Sequence, residues 1–174
     1  MLLEDQVFPK RCGHFAGKNV IPIEEMSAKL QAALAARSDS RFVIIARTDA
    51  RAVEGLEAAI DRANRYAELG ADVCFVEAPQ SREELAEIGR RGQAPQLANM
   101  LTGGVTPILP AEELERLGFK IAVCPVETLA VCGFAVRQLA QELINNGRVD
   151  HLSDGMLSFA ELKQVLGVND WLSR

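Results

Sequence analysis

Short apolar runs alternate with longer amphipathic segments along most of this chain. Most of the runs are rich in β-branched residues, and they are too short for a helix. Such runs are typical of strands buried in a parallel sheet. The predicted strands are residues 1–3, 42–45, 73–76, 96–98 and 121–124.

The segments between these runs carry apolar residues at helical spacing. They predict one helix after each strand and one further helix at the end. The predicted helices begin at Pro22, run from Leu56 to Gly70, from Ser81 to Arg90, from Pro110 to Gly118, from Leu129 to Gly147, and after a capping box of Ser158 and Glu161. The order predicts an α/β fold with helical crossovers: an open doubly wound sheet or part of a (β/α)8 barrel, since a complete barrel needs about 200 residues.

Composition narrows the functional class. The chain has 174 residues, 48% of them hydrophobic, which is enough for one globular domain with a core. A net charge of -5 leaves no basic stripe for nucleic acid, and no apolar run approaches the roughly 20 residues of a membrane span. Without a signal peptide, the protein is predicted to be cytoplasmic and its cysteines free thiols. Three of them lie in apolar stretches and are predicted to pack in the core: Cys74, Cys124 and Cys132.

Reactive residues gather after the first predicted strand. Residues 10–14, Lys-Arg-Cys-Gly-His, lie in a long loop from 5 to 22, which we interpret as an active-site lid. The neighbouring cations are expected to lower the pKa of the Cys12 thiol, and His14 is expected to tune that thiol or to bind a substrate carboxylate. Lys18 is interpreted as a solvated charge and Asp5 as a loop or capping residue.

Polar residues also follow the other strands, and the carboxyl edge of a parallel sheet is where ligands bind. Arg47 is a candidate clamp for a carboxylate, or else a structural ion-pair partner of Glu77 or Asp49. Residues 103–104, Gly-Gly, either form a simple turn or let the backbone approach an anion.

Four segments occur in order at the strand ends: EDQVFPKRCGH at 4–14, ARTDA at 46–50, FVEAP at 75–79 and NMLTGGVTP at 99–107. Together they resemble the isocitrate lyase/phosphoenolpyruvate mutase superfamily, and within it the branch of 2-methylisocitrate lyase, dimethylmalate lyase and the oxaloacetate hydrolases. The resemblance implies a Mg²⁺-dependent lyase on a (β/α)8 barrel. Such a lyase cleaves a carbon–carbon bond of a 2-hydroxy di- or tricarboxylate into a 2-oxo acid and a carboxylic acid.

The resemblance also implies roles for particular residues. Cys12 would donate a proton, Glu77 would be a further catalytic acid, and Glu4 would face Mg²⁺ (or Mn²⁺) through water. The implied substrate contacts are Gly13, His14, Arg47, Asn99 and Thr106.

The departures from the family matter as well. The Ser-Gly-Gly loop and the Asp-x-Asp metal ligands of the family's first three units are absent, so residues 1–174 resemble an incomplete barrel: strands 4–8 with their helices. The family exchanges its last helix between subunits, which implies a homo-oligomer with exchange around Leu129–Asn146, and open sheet edges are expected to promote association. Three alternatives to an active lyase stay open: a non-catalytic remnant or association module, a phosphonomutase, and an oxaloacetate hydrolase.

Overall fold

The computed structural model describes residues 1–14 and 16–172, and strands alternate with helices through its first two thirds. The strands are β1 (Leu2–Glu4), β2 (Ile45–Thr48), β3 (Val73–Val76), β4 (Gln96–Asn99) and β5 (Phe119–Val123). The α-helices are α1 (Ile23–Ala36), α2 (Leu56–Glu68), α3 (Arg82–Arg91), α4 (Ala111–Arg116), α5 (Glu127–Asn146), α6 (Phe159–Val165) and α7 (Val168–Leu172). Short 3₁₀ helices cover Ala50–Ala52 and Asp150–Gly155.

The five strands form one parallel sheet in the order of the chain, β1-β2-β3-β4-β5. A single row of paired residues crosses all five of them: Leu3, Ala46, Cys74, Gln96 and Phe119. The predicted α/β fold with a parallel sheet is therefore confirmed. Because all strands run the same way, their carboxyl ends meet at one edge, and the segments that follow them are brought together there.

The predicted position of the second strand is wrong by three residues. β2 is Ile45–Thr48, so Arg47 lies within the strand instead of following it. Phe42 and Val43 are 50% and 44% exposed, whereas Arg47 pairs with a β1 residue on one side and a β3 residue on the other. Pairing on both sides, and not apolarity, decides where this strand runs.

The predicted helix boundaries agree closely with the structure. Pro22 precedes α1, Ser81 caps α3 by accepting a hydrogen bond from the Glu84 amide, and the Ser158–Glu161 capping box is formed. The 3₁₀ helices and α7 were not expected, since segments of three to six residues are too short to show a helical period.

The two faces of the sheet bury different side chains. Cys74 and Val76 belong to the larger apolar cluster, together with residues of α1, α2 and α3, whereas Val73 and Phe75 form a smaller cluster with Leu97. This alternation follows from the two-residue period of a strand. The predicted burial of Cys74 is confirmed, and burial raises the pKa of its thiol to about 12.

The prediction that Cys124 and Cys132 pack in the core is wrong, because both are exposed. Cys124 follows β5, where side chains of the strand alternate between covered and exposed, and Cys132 lies on α5, which has no buried residue. Their apolar neighbours in the sequence predicted burial that the described chain does not provide.

The chain forms two compact units, residues 1–127 and 128–174. In the second, α6 and α7 contact each other, and several large apolar side chains are exposed: Leu129, Val131, Val136, Phe159 and Trp171. The exchange of α5 between subunits stays a prediction. Among residues 1–14 and 16–172, no helix combines the length and apolar character needed to cross a membrane.

Two helical glycines give a matched test of the packing in the first unit. A Cβ at Gly89 in α3 would lie 1.7 Å from the carbonyl oxygen of Leu117, whereas a Cβ at Gly133 in α5 would meet nothing within 4 Å. Gly89→Ala is expected to lower the free energy of unfolding by about 1–3 kcal/mol, the usual cost of overpacking. Gly133→Ala should leave it unchanged or raise it by about 0.5–1 kcal/mol. Urea denaturation measures both, and equal effects would contradict the close contact between α3 and the turn at Leu117.

Candidate active site

The loop that carries residues 10–14 is closed at its base by backbone pairing. Gln6 and Val20 form an antiparallel bridge, and the Ile21 amide donates to the carbonyl of Asp5 at 2.8 Å. Farther along, the Gln6 side chain donates to the Arg11 carbonyl at 2.9 Å and accepts from the Arg11 amide at 2.8 Å. These contacts hold the loop as a folded structure over the carboxyl edge of the sheet.

Glu77, the first residue after β3, is the side chain around which several candidates converge. It is 1% exposed. One carboxylate oxygen lies 3.0 Å from Nε2 of His14 and 3.3 Å from the Asn99 amide nitrogen, and the other lies 2.9 Å from Arg47. The fold therefore brings together Glu77, His14, Arg47 and Asn99, which come from four separate segments.

His14 is held from both sides of its ring. The backbone amide of Val105 donates to Nδ1 at 3.1 Å, so a neutral imidazole carries its proton on Nε2, facing Glu77. A Cβ at Gly104 would lie 2.6 Å from Nδ1. The absence of a side chain at Gly104 thus allows the backbone to lie close to another group, as one of the two sequence interpretations proposed. In the structure that group is the imidazole of His14 and not an anion.

Gly13 is buried and lies against Glu77 and Arg47. A Cβ at this position would lie 2.4 Å from Cγ of Glu77 and 2.5 Å from a guanidinium nitrogen of Arg47. Residues 12–14 can therefore approach the carboxyl edge of the sheet only because position 13 has no side chain.

Arg47 makes both of the ion pairs that were considered as structural alternatives. It donates two hydrogen bonds to Asp49, at 2.8 and 3.0 Å, and pairs with Glu77 and, at 3.5 Å, with Glu4. Burial lowers the pKa of the guanidinium, but the hydrogen bonds to Asp49 and the charges of the three carboxylates outweigh burial and raise that pKa above its ordinary value. Arg47 is thus a fixed cation at this edge.

Glu4 does not belong to a metal-ligand cluster within residues 1–14 and 16–172. Its carboxylate pairs with Lys10 at 2.9 Å and with Arg47 at 3.5 Å. No group of three or more His, Cys, Asp or Glu side chains in these residues is placed to hold a metal ion. The described residues therefore do not fit a complete Mg²⁺ site.

Cys12 is exposed, in the loop between the residues that anchor it. Two of the groups that surround it in the sequence have carboxylate partners elsewhere: Lys10 pairs with Glu4, and His14 faces Glu77. The structure therefore exposes the thiol to solvent, one residue before Gly13, which lies against Glu77.

Burial changes the picture at two residues. Asp5 follows β1 at the start of the loop, as predicted, but it is fully buried: it accepts from the Asp49 amide at 2.9 Å and from the Tyr66 hydroxyl at 3.1 Å, and burial raises its pKa. Lys18 is not a solvated charge, since it is 8% exposed and its ammonium lies 3.8 Å from Asp49. A single sequence shows neither fact, because these partners lie 31 to 61 residues away.

Some buried side-chain oxygens of the described residues have no hydrogen-bond partner. Two of them belong to the predicted site residues Asn99 and Thr106, whereas the Glu77 oxygen in this group is the one that forms the ion pair with Arg47 at 2.9 Å. Unpaired buried polar atoms are costly, and they collect where a ligand or water completes them.

Thr106 lies in the loop after β4, which is tied down by Glu127. The Glu127 carboxylate accepts from the amides of Thr102 at 2.7 Å and Val126 at 3.1 Å. These hydrogen bonds, chiefly the one from Thr102, lower the pKa of Glu127 to about 2.

Comparison with known proteins assigns this fold and edge to a family. Residues 1–144 match the family profile described as phosphoenolpyruvate phosphomutase. The chain therefore belongs to the phosphoenolpyruvate mutase/isocitrate lyase superfamily, a group of α/β enzymes with a TIM-barrel-like fold.

Several relatives in the superfamily are similar along nearly the whole chain. It is 44% identical to the chloroplastic carboxyvinyl-carboxyphosphonate phosphorylmutase of Arabidopsis thaliana, covering 97% of this chain and 51% of that protein. It is 40% identical to 2,3-dimethylmalate lyase of Eubacterium barkeri, covering 95% and 57%. The chain thus spans about half the length of the curated relatives it matches.

Solved structures of superfamily members superpose on nearly the whole of this chain. Oxaloacetate acetylhydrolase bound to 3,3-difluorooxalacetate superposes with a TM-score of 0.89 at 35% identity, covering 98% of this chain and 58% of that one. Phosphonopyruvate hydrolase in complex with oxalate and Mg²⁺ superposes with a TM-score of 0.82 at 25% identity, covering 99% and 60%. The predicted superfamily is confirmed.

The buried Arg47–Asp49 pair has a matched exposed pair, Asp39 with Arg41, at the same spacing of two residues and also with two hydrogen bonds. Asp49→Asn is expected to destabilise the fold by about 3–5 kcal/mol, because it leaves the buried Lys18 ammonium without a carboxylate and removes one of the carboxylates around Arg47. Asp39→Asn should have no measurable effect, because its pair is solvated. Chemical denaturation compares the two, and an unchanged stability of Asp49→Asn would contradict the role of this carboxylate.

The Glu127 contact makes the loop after β4 sensitive to acid. A carboxyl whose pKa is lowered in the folded state contributes stability above its ordinary pKa of 4.5, and loses it as the pH falls toward about 2. Glu127→Gln is therefore expected to have a lower Tm than the unmodified chain at pH 7, and the difference should narrow as the pH drops below 4.5. Thermal melts from pH 7 to pH 3 measure it. A difference that stays constant over this range would show that the charge of Glu127 does not hold the loop.

Proposed function

We propose that this chain carries the catalytic edge of a Mg²⁺-dependent carbon–carbon lyase acting on a 2-hydroxy di- or tricarboxylate of the methylisocitrate, isocitrate or dimethylmalate type. One observation carries the proposal: four residues that the superfamily resemblance marks as site residues, His14, Arg47, Glu77 and Asn99, meet at the carboxyl edge of the sheet. In the loop after β4, the buried Thr106 hydroxyl has no hydrogen-bond partner among the described residues and is able to donate to a substrate carboxylate.

Each residue has a part in the proposal. Arg47 supplies a permanent positive charge toward a substrate carboxylate, and Glu77 orients Arg47 and His14. Asn99 and Thr106 bind the distal carboxylate of the substrate, and Gly13 lets the loop close over it. Glu4 is the residue on the metal side.

The chemical step follows from these parts. The hydroxyl at carbon 2 loses its proton to solvent water and becomes the oxo group of the first product, while the adjacent carbon–carbon bond breaks. The electron pair of that bond passes to the second product, an enediolate-like carbanion. Cys12 then delivers a proton to that carbon, which yields the carboxylic acid, so that one proton leaves the substrate and one enters it.

Mg²⁺ dependence is part of the proposal and is supported by the superfamily, one solved member of which is a complex with oxalate and Mg²⁺. When bound, the ion supplies Lewis-acid stabilisation of an oxo or hydroxy carboxylate. Glu4 is a single carboxylate already paired with two cations, so no step above is assigned to the ion.

The finer architecture is also proposed from the resemblance. Residues 1–174 correspond to strands 4–8 of a barrel with their helices, and residues 5–22 to its lid. Support comes from the parallel order of the five strands and from the coverage of 58% of a superfamily structure. Exchange of Leu129–Asn146 in a homo-oligomer is supported by the exposed apolar residues of α5.

A non-catalytic association module is the second candidate. The observation in its favour is the lack of a three-ligand metal group in residues 1–14 and 16–172. The sheet there begins and ends on β1 and β5, each with one neighbour, which also favours association.

The lyase proposal is tested by incubating the purified chain with 2-methylisocitrate, isocitrate, 2,3-dimethylmalate, oxaloacetate and phosphonopyruvate, each with MgCl₂ or EDTA. NMR follows the loss of substrate and the release of products. We expect Mg²⁺-dependent release of a 2-oxo acid from one hydroxycarboxylate, and a decrease in kcat of about 10²- to 10⁴-fold in Cys12→Ser, since a general acid contributes about that much.

Cys132→Ser is the matched control, because Cys132 is also an exposed thiol but lies on α5. It is expected to keep full activity. Turnover of oxaloacetate or phosphonopyruvate instead would identify the hydrolase or mutase alternative. A folded chain, verified by circular dichroism, that turns over none of the five compounds would contradict the lyase proposal and favour the association module.

A further inference from the structure

Lys18 is a buried cation that the proposed mechanism does not use. Only 3% of its side chain is exposed, although Ala16, Gly17 and Asn19 around it are all exposed. Removing an ammonium from water is costly unless acceptors replace the lost hydration. The loop therefore buries this one side chain, and the contacts of the ammonium must offset the free energy lost by removing it from water.

The contacts of Lys18 join two parts of the molecule. Its ammonium donates to the backbone carbonyl of Gly13, five residues earlier in the loop. The same ammonium lies 3.8 Å from the carboxylate of Asp49, which follows β2 and is fully buried. Asp49 is itself fixed by two hydrogen bonds from Arg47, so Lys18 connects the loop to a rigid point of the sheet.

Gly13 is where such a connection has the largest effect. It lies between Cys12 and His14, and the absent Cβ is the reason the loop can lie against Glu77. A shift of the Gly13 carbonyl would move both neighbouring side chains together. It would also disturb the 3.0 Å contact between His14 and Glu77.

We propose that Lys18 is the positioning residue of this site: through the Gly13 carbonyl it holds residues 12–14 against Glu77, with Asp49 as its anchor. Lys18 itself touches no reacting atom. The effect on catalysis rests on the proposed function, whereas the effect on the loop does not.

The chemistry of the ammonium suits this task. It carries three donors on one atom, so it can meet a carbonyl oxygen and a carboxylate at once. A methionine of similar length fills the space without a donor, and a glutamine is shorter and neutral. Lys18→Met and Lys18→Gln therefore both remove the charge, and they differ in whether a donor remains.

Trypsin provides a test that does not need activity. Lys10 and Arg11 are exposed cleavage sites, but a protease needs its site to open from the folded loop, so the cleavage rate reports how often the loop opens. We expect cleavage after Lys10 and Arg11 to be about tenfold faster or more in Lys18→Met, with a smaller increase in Lys18→Gln. Cleavage after the exposed Arg148, measured by mass spectrometry in the same digest, should stay unchanged.

Lys120→Met is the matched control, since Lys120 is an exposed lysine on β5. Its cleavage pattern at Lys10 and Arg11 should equal that of the unmodified chain. Equal rates in all variants would overturn the proposal. Global unfolding of both Lys18 variants, seen by circular dichroism, would overturn it too, because Lys18 would then support the whole fold and not the loop.

Where the lyase assay shows activity, a kinetic readout separates positioning from binding. Lys18→Met is expected to lower kcat by about 10- to 100-fold, the range that a misplacement of about 1 Å can cause, with KM changed much less. A rise in KM with kcat unchanged would overturn the positioning role. A chain that is inactive in every form but shows the tryptic effect would contradict the lyase proposal and leave Lys18 as the anchor of the loop.

Discussion

The pairing of charges around the buried carboxylate of Asp49 is the constraint on which this edge of the sheet depends. A buried charge persists only where partners replace its hydration, and Asp49 has two donors from Arg47 and the ammonium of Lys18 nearby. Its own amide donates to the buried carboxylate of Asp5. One residue thus joins the start of the loop, the end of β2 and, through Lys18, the later part of the loop.

Further contacts extend from Asp49 across the carboxyl edge of the sheet. Arg47 pairs with both Asp49 and Glu77. Glu77 in turn lies 3.0 Å from His14, and His14 accepts a hydrogen bond from the amide of Val105 in the loop after β4. The series fixes the orientation of each group by its neighbours, which is what preorganisation requires. Beside this series, the Asn99 carbonyl oxygen and the Thr106 hydroxyl are buried without a hydrogen-bond partner among the described residues.

Much of the fold follows from local pattern, and the exceptions have one cause. The residues of β3 are all apolar and all buried, and its predicted bounds agree with the structure. β2 differs because Arg47 and Thr48 are polar, yet Arg47 pairs with strands on both sides and Thr48 pairs with β3. Among the predicted site residues, the fold brings together Gly13, His14, Arg47, Glu77 and Asn99, whereas the metal role of Glu4 finds no supporting ligand cluster in the described residues.

The sequence by itself determined the order of strands and helices, the parallel sheet and the superfamily, because hydrophobic period and short motifs are local properties. Only the tertiary structure decided which charges are buried. Lys18 resembles any surface lysine until the loop folds back and presents it to Gly13 and Asp49. Asp5 resembles a solvent-exposed loop residue until Asp49 and Tyr66 supply its donors. The energy of a charge depends on partners that the fold brings from distant positions in the chain, and no local pattern records them.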